Sequence, residues 1–181
     1  MRFVYCAAAI SFLLNDFSGV DIAAVMHYVQ CCVSYEGGIA LSPQGEAHGG
    51  STYCALAAAE LFGCQTQLRG AMFSPLLRWL QQRQSSGFNG RTNKDVDSCY
   101  SFWIGASLHI IGSFDMTDAE QATLFLLQQC QSYKHGGFSK TPSGPPDILH
   151  SFYSVCYLAL AGALGEGGRK KRFNPIVAMC V

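Results

Sequence analysis

The stretch that decides the fold is Gly87-Phe88-Asn89-Gly90-Arg91-Thr92-Asn93-Lys94, continued by Asp97-Ser98-Cys99 and the apolar run Tyr100 to Ile111, closed by Gly112. Its layout is a Gly-containing turn, a polar loop, then an apolar helix of small residues ending near Gly. The same layout occurs upstream, from Gly37-Gly38 through Glu46-Ala47-His48-Gly49-Gly50 into Ser51 to Phe62, closed by Gly63. It occurs again downstream, from Gly136-Gly137-Phe138 through Asp147-Ile148-Leu149-His150 into Ser151 to Leu160, closed by Gly162. Gly37 to Gly87 is 50 residues and Gly87 to Gly136 is 49, so the chain is a repeat. Phe3 to Leu14 reads as the last helix of a preceding copy.

Amphipathic segments fill the gaps: Ile22 to Cys32, Phe73 to Gln84 and Asp118 to Gln131. Each repeat is therefore a pair of helices. The helices beginning at Ser51, Tyr100 and Ser151 are apolar nearly all round and belong to an inner layer, with the more polar ones outside. Helix-pair repeats stack into solenoids or close into rings. No strand-like alternation of useful length occurs, and the fold class is all-α. The repeats occupy residues 1–165, and 166–181 reads as a C-terminal tail whose basic run, Arg169-Lys170-Lys171-Arg172, is solvated.

Composition narrows the function. The 181 residues carry 12 Lys+Arg against 12 Asp+Glu, so the basic excess of a nucleic-acid or anionic-membrane binder is missing. Charged residues are only 13% and hydrophobic ones 49%, which excludes disorder and predicts a covered surface or an apolar cavity. Nine cysteines without regular close pairs argue for a reducing, cytoplasmic setting rather than a disulfide framework. The apolar run Phe3 to Leu14 is shorter than the roughly 20 residues that span a bilayer and lacks a small-residue cleavage site; a helix of the domain is the expectation.

The polar residues cluster where each loop enters an inner helix, so the repeats present them at one end of the stack. Asp97, Cys99 and His150 offer oxygen, sulfur and nitrogen, a set that suits Zn²⁺ with a fourth position open. The competing reading makes Asp97 a helix cap, Cys99 a packed thiol and His150 a core histidine. His48, Arg91, Lys94 and Tyr100 supply a cationic and donor-rich set that suits a pyrophosphate; ordinary solvated loops are the competing reading. Tyr53, Phe102, Trp103, Phe152 and Tyr153 could wall an apolar tunnel or simply fill the core, with Trp103 the choice for a cavity wall.

At these residues the sequence resembles the β-subunit of protein prenyltransferases. The carrying motifs are Glu46-Ala47-His48-Gly49-Gly50-Ser51-Thr52-Tyr53-Cys54, the segment Gly87 to Lys94 with Val96 to Trp103, and Pro146-Asp147-Ile148-Leu149-His150. Within that family it is most similar to geranylgeranyltransferase type I. Lys140, ten residues before His150, stands where farnesyltransferase carries an Asp that helps hold magnesium, and Leu149 stands where farnesyltransferase carries Tyr.

The resemblance implies an α/α toroid, of which the later half is present here, since family β-subunits are roughly twice this length and close a ring of about six helix pairs. It implies Zn²⁺ on Asp97, Cys99 and His150, without a magnesium requirement, Lys140 supplying that charge. It places His48, Gly50, Arg91, Lys94 and Tyr100 at the diphosphate, Cys54 and Trp103 along the isoprenoid and Leu149 against the substrate peptide. Asp95 is unusual for the motif and opposes the attraction of Lys94 for diphosphate. The implied reaction transfers a geranylgeranyl group to the Cys of C-terminal C-a-a-X proteins such as small GTPases, usually with Leu last, in a heterodimer with an α-subunit. A farnesyltransferase β-subunit, and a truncated non-catalytic fragment that binds the α-subunit, are the alternatives.

Overall fold

Ten residues of the helix Gly49–Leu61 (α3) are buried, and they fall on every side of it. The computed structural model, which describes residues 1–68, 70–164 and 173–180, gives α3 this position by placing it between Arg2–Leu14 (α1) and Ser98–Ile110 (α5); α5 in turn packs against Ile148–Leu160 (α7). Alanines dominate the α3 sequence because two helices crowd it, and Ala55, Ala57, Ala58 and Ala59 have no exposed surface. On the outside lie Ile22–Cys31 (α2), Phe73–Gln81 (α4) and Ala119–Leu124 (α6), the last continuing as a π-helical turn through Phe125–Cys130. These outer helices bury one stripe only: Met26 and Val29 on α2, and Leu76, Trp79 and Leu80 on α4.

The expected helix pairs are present, with two adjustments. The inner helices begin two or three residues before the expected Ser51, Tyr100 and Ser151. Their first turns contain Gly49-Gly50 and Ser98-Cys99, small or polar pairs that read as loop, and Ile148-Leu149, which polar Asp147 and His150 enclose. The outer segment expected over Asp118 to Gln131 widens at Phe125, whose ring fills the space a side chain on Gly87 would need, a Cβ there lying 2.5 Å from Phe125 Cδ1.

Among the described residues, strands are confined to two-residue pairings. Phe138–Ser139 (β1) pairs with Pro146–Asp147 (β2) and fixes the loop that leads into α7. Phe173–Asn174 (β3) pairs with Met179–Cys180 (β4). This second hairpin, counted with the tail in the sequence reading, is attached to the inner helices. The Tyr53 hydroxyl lies 2.8 Å from the Pro175 carbonyl oxygen and 2.9 Å from that of Ile176, and the Tyr5 hydroxyl donates to the Ile176 carbonyl at 2.9 Å. Phe173 sets its ring edge-on to Phe102. The basic run 169–172 lies outside the described residues.

Cys6, Cys31, Cys32, Cys54, Cys64, Cys99, Cys130 and Cys156 are all free. No helix among the described residues is long and apolar enough to cross a membrane. The row α1–α3–α5–α7 ends in two apolar edges: Phe3, Ile10, Leu13 and Leu14 are exposed on α1, and Ile148, Phe152 and Val155 on α7.

Candidate functional site

Each inner helix begins on a side chain that accepts a hydrogen bond from its own first turn. His48 Nδ1 accepts from the Gly50 N–H at 3.1 Å, Asp97 Oδ1 from the Cys99 N–H at 3.0 Å and Asp147 Oδ1 from the His150 N–H at 2.9 Å. Capping explains why polar side chains recur at this place in every repeat, and why all three lie at the same end of the layer. Each cap residue is itself extended, with φ near −140° in all three cases.

At the α5 and α7 starts, Asp97, Cys99 and His150 converge. Each offers a ligand atom, and these atoms all lie within 4.8 Å of one another. Asp97 Oδ1 and His150 Nε2 are 3.3 Å apart, the spacing of two ligands about 2.0–2.2 Å from one tetrahedral ion. The far nitrogen of the ring, Nδ1, is held by Asp147 Oδ2 at 2.6 Å, which aims Nε2 at Asp97. A metal-binding histidine ordinarily has such a carboxylate behind it. Asp97 thus serves as a helix cap, as one sequence reading has it, and also stands in the cluster that the other reading requires.

The electrostatics fit a cation. Burial pushes the Cys99 thiol well above its ordinary range, the Asp97 carboxylate raises it further, and a hydrogen bond from Trp103 opposes them. A thiol so placed gives up its proton to a divalent ion that cancels the neighbouring negative charge. The Asp147 carboxyl is held below the usual carboxylate range, chiefly by the His150 backbone N–H. The oxygen, sulfur and nitrogen donors, in this spacing and with this support, fit Zn²⁺.

Beside the cluster opens a cleft of about 450 Å³ lined by Arg91, Lys94, Asp95, Asp97, Tyr100 and Lys140, among others. Lys140 Nζ is 3.8 Å from Asp97 Oδ2 with its side chain largely exposed, so it bridges the cluster and the cleft. His48 joins from the preceding repeat, its Nε2 2.9 Å from the Tyr100 hydroxyl. Burial lowers the His48 pKa, and the Arg91 guanidinium lowers it further. Asp95 faces the same cleft.

The remaining expected residues stand apart from the cleft lining. Cys54 is buried, its thiol pushed up to about 11 by burial. Trp103 stacks obliquely on Tyr153, with centroids 4.2 Å apart, and meets Tyr53 edge-on. Tyr53 and Phe102 are fully buried, as the core reading has it, whereas Trp103 and Tyr153 keep part of their rings accessible. Leu149 projects outward at the start of α7, about half exposed.

Two residues gain roles that the sequence reading did not assign. Asp147 orients His150, and the three-residue spacing of an acid and a histidine at a helix start is the signal that pointed to it. Glu46 Oε2 accepts from Arg91 Nη1 at 2.9 Å across two repeats, a pairing that nothing in the local sequence announces.

Comparison with known proteins agrees with this geometry. The model of the prenyltransferase alpha-alpha toroid domain matches residues 1–179. The geranylgeranyl transferase type-1 subunit beta of Arabidopsis thaliana is 45% identical over 170 residues, covering 88% of this chain and 45% of that protein. The subunit of the same name from Dictyostelium discoideum is 41% identical over 159 residues, covering 88% of this chain and 45% of its own length. The protein farnesyltransferase subunit beta of Schizosaccharomyces pombe is 38% identical over 176 residues, with 88% and 44% covered. Among solved structures, Candida albicans protein geranylgeranyltransferase-I complexed with GGPP superposes with a TM-score of 0.88 at 27% identity, over 99% of this chain and 53% of that one. The chain therefore spans about half the length of the relatives it matches. With its repeated helix pairs, its inner layer and a matching domain model over nearly its whole length, the chain belongs to the prenyltransferase alpha-alpha toroid family.

Proposed function

We propose that this chain is the later half of a geranylgeranyltransferase type I β-subunit, which transfers a geranylgeranyl group to the cysteine thiol of C-terminal C-a-a-X proteins as part of a heterodimer with an α-subunit. The observation that carries the proposal is the Asp97–Cys99–His150 cluster opening onto a cleft that Arg91, Lys94, Tyr100 and Lys140 line.

Zn²⁺ on Asp97, Cys99 and His150 would supply the Lewis acidity that makes an incoming thiol reactive near neutral pH, where a free thiol is mostly protonated. The side chains of this protein do the rest. Asp147 keeps the His150 ring in register. The sulfur of the substrate attacks C1 of geranylgeranyl diphosphate and forms a C–S bond. The C1–O bond breaks, diphosphate leaves with the electron pair, and the thiol proton passes to solvent. Negative charge grows on the departing oxygens, and Arg91, Lys94, Tyr100 and Lys140 stabilise it. Trp103 and Cys54 flank the hydrocarbon, and Leu149 meets the peptide.

Lys140 is the residue that favours this reading over farnesyltransferase, because its ammonium already sits beside Asp97, where a magnesium ion would otherwise supply charge. The apolar edges on α1 and α7 favour a second reading, a non-catalytic fragment that binds an α-subunit.

The test combines the chain with a prenyltransferase α-subunit, zinc, geranylgeranyl diphosphate and a peptide ending in C-a-a-Leu. Thioether formation without added magnesium supports the proposal. A requirement for magnesium selects farnesyltransferase, and co-purification with the α-subunit without turnover selects the fragment. A wild-type chain that binds no zinc overturns the enzymatic reading.

A further inference from the structure

The loop tips that lead into α3, α5 and α7 are built alike. The pairings Ala40–Ala47, Asn89–Val96 and Ser139–Pro146 close tips of equal length. Inside each tip a turn is closed by a backbone hydrogen bond, donated by Gly45 to Ser42 at 3.1 Å, by Lys94 to Arg91 at 3.4 Å and by Gly144 to Thr141 at 3.1 Å. Each turn holds a left-handed residue at the same place, Gln44, Asn93 and Ser143, with φ of 63°, 58° and 65°. The residue before it is Pro43 in the first tip and Pro142 in the third, where a proline presets such a turn. In the middle tip, which carries Arg91 and Lys94, that residue is Thr92.

Thr92 is fixed through its side chain instead. Arg83 Nη1 donates to the Thr92 hydroxyl oxygen at 3.2 Å, and that hydroxyl donates to Glu36 Oε2 at 2.8 Å. The same Glu36 oxygen accepts from Trp79 Nε1 at 3.3 Å. Arg83 Nε donates to the Trp79 carbonyl at 3.2 Å, and the guanidinium carbon lies 4.9 Å from the centre of the Trp79 ring. Thr92, Arg83, Trp79 and Glu36 thus form a closed cycle. Glu36 reaches it from the preceding repeat because its turn lies flat on α4, where a Cβ on Gly38 would meet the Trp79 ring at 2.6 Å.

Arg83 is buried, and its carbonyl accepts from the Asn89 N–H. The carbonyls of Cys32 and Cys130 accept in the same way from the Ala40 N–H and the Ser139 hydroxyl, so Arg83 stands where the other repeats bury a cysteine. The repeat fold therefore needs no cation at this place. Burying one is costly unless it is partnered, and here its partners hold the one tip that lacks proline.

We infer that Thr92, clamped between Arg83 and Glu36, is a positioning residue: the clamp does for the middle tip what proline does for its siblings, and so holds Arg91 and Lys94, at the two ends of the turn, in place for an anion. The inference rests on the diphosphate reading of the cleft that Arg91 and Lys94 line; Thr92 itself lines a separate cleft with Tyr35 and Glu36.

The experiment uses the full chain, inorganic pyrophosphate and three substitutions at this exposed position. Thr92→Val removes the hydroxyl at nearly constant shape, Thr92→Ser keeps it, and Thr92→Pro loses it but presets the turn. Calorimetry measures pyrophosphate affinity, and backbone ¹⁵N relaxation measures the order of Arg91, Asn93 and Lys94. Thr92→Val should weaken binding by about three- to tenfold and lower the order parameters. Thr92→Ser and Thr92→Pro should both stay within about twofold of wild type. Zinc affinity should be the same in every form, which a general loss of structure would not leave untouched. A Thr92→Val chain that binds like wild type overturns the inference. So does a Thr92→Pro chain as weak as Thr92→Val, since the hydroxyl would then act by something other than fixing the tip. Absence of pyrophosphate binding by the wild type overturns the diphosphate reading; the order parameters then decide the clamp alone, and a Thr92→Val tip as ordered as wild type overturns that too.

Discussion

Asp147 grips His150 at both ends, its Oδ1 accepting the backbone N–H at 2.9 Å and its Oδ2 lying 2.6 Å from Nδ1. One carboxylate therefore caps α7 and fixes the direction of the imidazole that faces Asp97. Asp147→Ala frees the ring to rotate, and zinc affinity should fall by about 10–100-fold. Competition with a chromophoric chelator measures this. An affinity equal to wild type would show that the ring needs no such support.

Gly90 lies under the ring of Tyr100 with no room for a side chain. Gly90→Ala should cost about 1–3 kcal/mol by overpacking. Thermal denaturation gives the stability change, and shifted Tyr100 ring resonances report the displaced tyrosine.

Burial holds the Cys54 thiol up at about 11, against 9.0 for its ordinary value. At pH 8 only about one such thiol in a thousand is ionised, and exposed Cys6 and Cys31 should alkylate long before it. The unfolded chain releases this proton first, near pH 9. The contribution of Cys54 to stability is thus complete below about pH 9 and declines between about pH 9 and 11. Cys54→Ala should flatten the alkaline fall in melting temperature, measured across that window.

Tyr53→Phe removes the hydroxyl that meets the carbonyls of Pro175 and Ile176. The expected cost is about 1–3 kcal/mol, since buried acceptors lose a partner. Backbone amides of residues 173–180 should exchange with solvent faster than in wild type, while those of α5 keep their protection. Unchanged exchange would mean that the hairpin is held by Phe173 and its neighbours alone.

How much of this was legible in the sequence follows from range. The inner helices could be read because small and apolar residues on every side announce burial, and the repeat of 50 and 49 residues set their spacing. Their starting points could not, because His48, Asp97 and Asp147 are polar and flanked by residues that read as loop. Convergence of Asp97, Cys99 and His150 remained one of two readings until Ser98, donating from its backbone N–H to the Lys140 carbonyl and from its hydroxyl to the Ser139 carbonyl, placed the two loops side by side. The π-helical turn answers to a glycine 38 residues earlier, where Gly87 leaves a gap for Phe125. The β3–β4 hairpin was not legible at all, since its anchors are main-chain carbonyls meeting tyrosines more than 120 residues away.

That last attachment has a consequence for synthesis. The Tyr5 hydroxyl is synthesised 171 positions ahead of Ile176 and waits for it before it acquires its partner. Until then the tyrosine tips of α1 and α3 must stay hydrated or borrow each other across 3.4 Å. The neighbouring helices can form and dock locally as they emerge, but this seal is among the most non-local contacts in the chain and closes late. A nascent chain stalled short of residue 173 should thus remain a client of chaperones, whatever the quality of its helices.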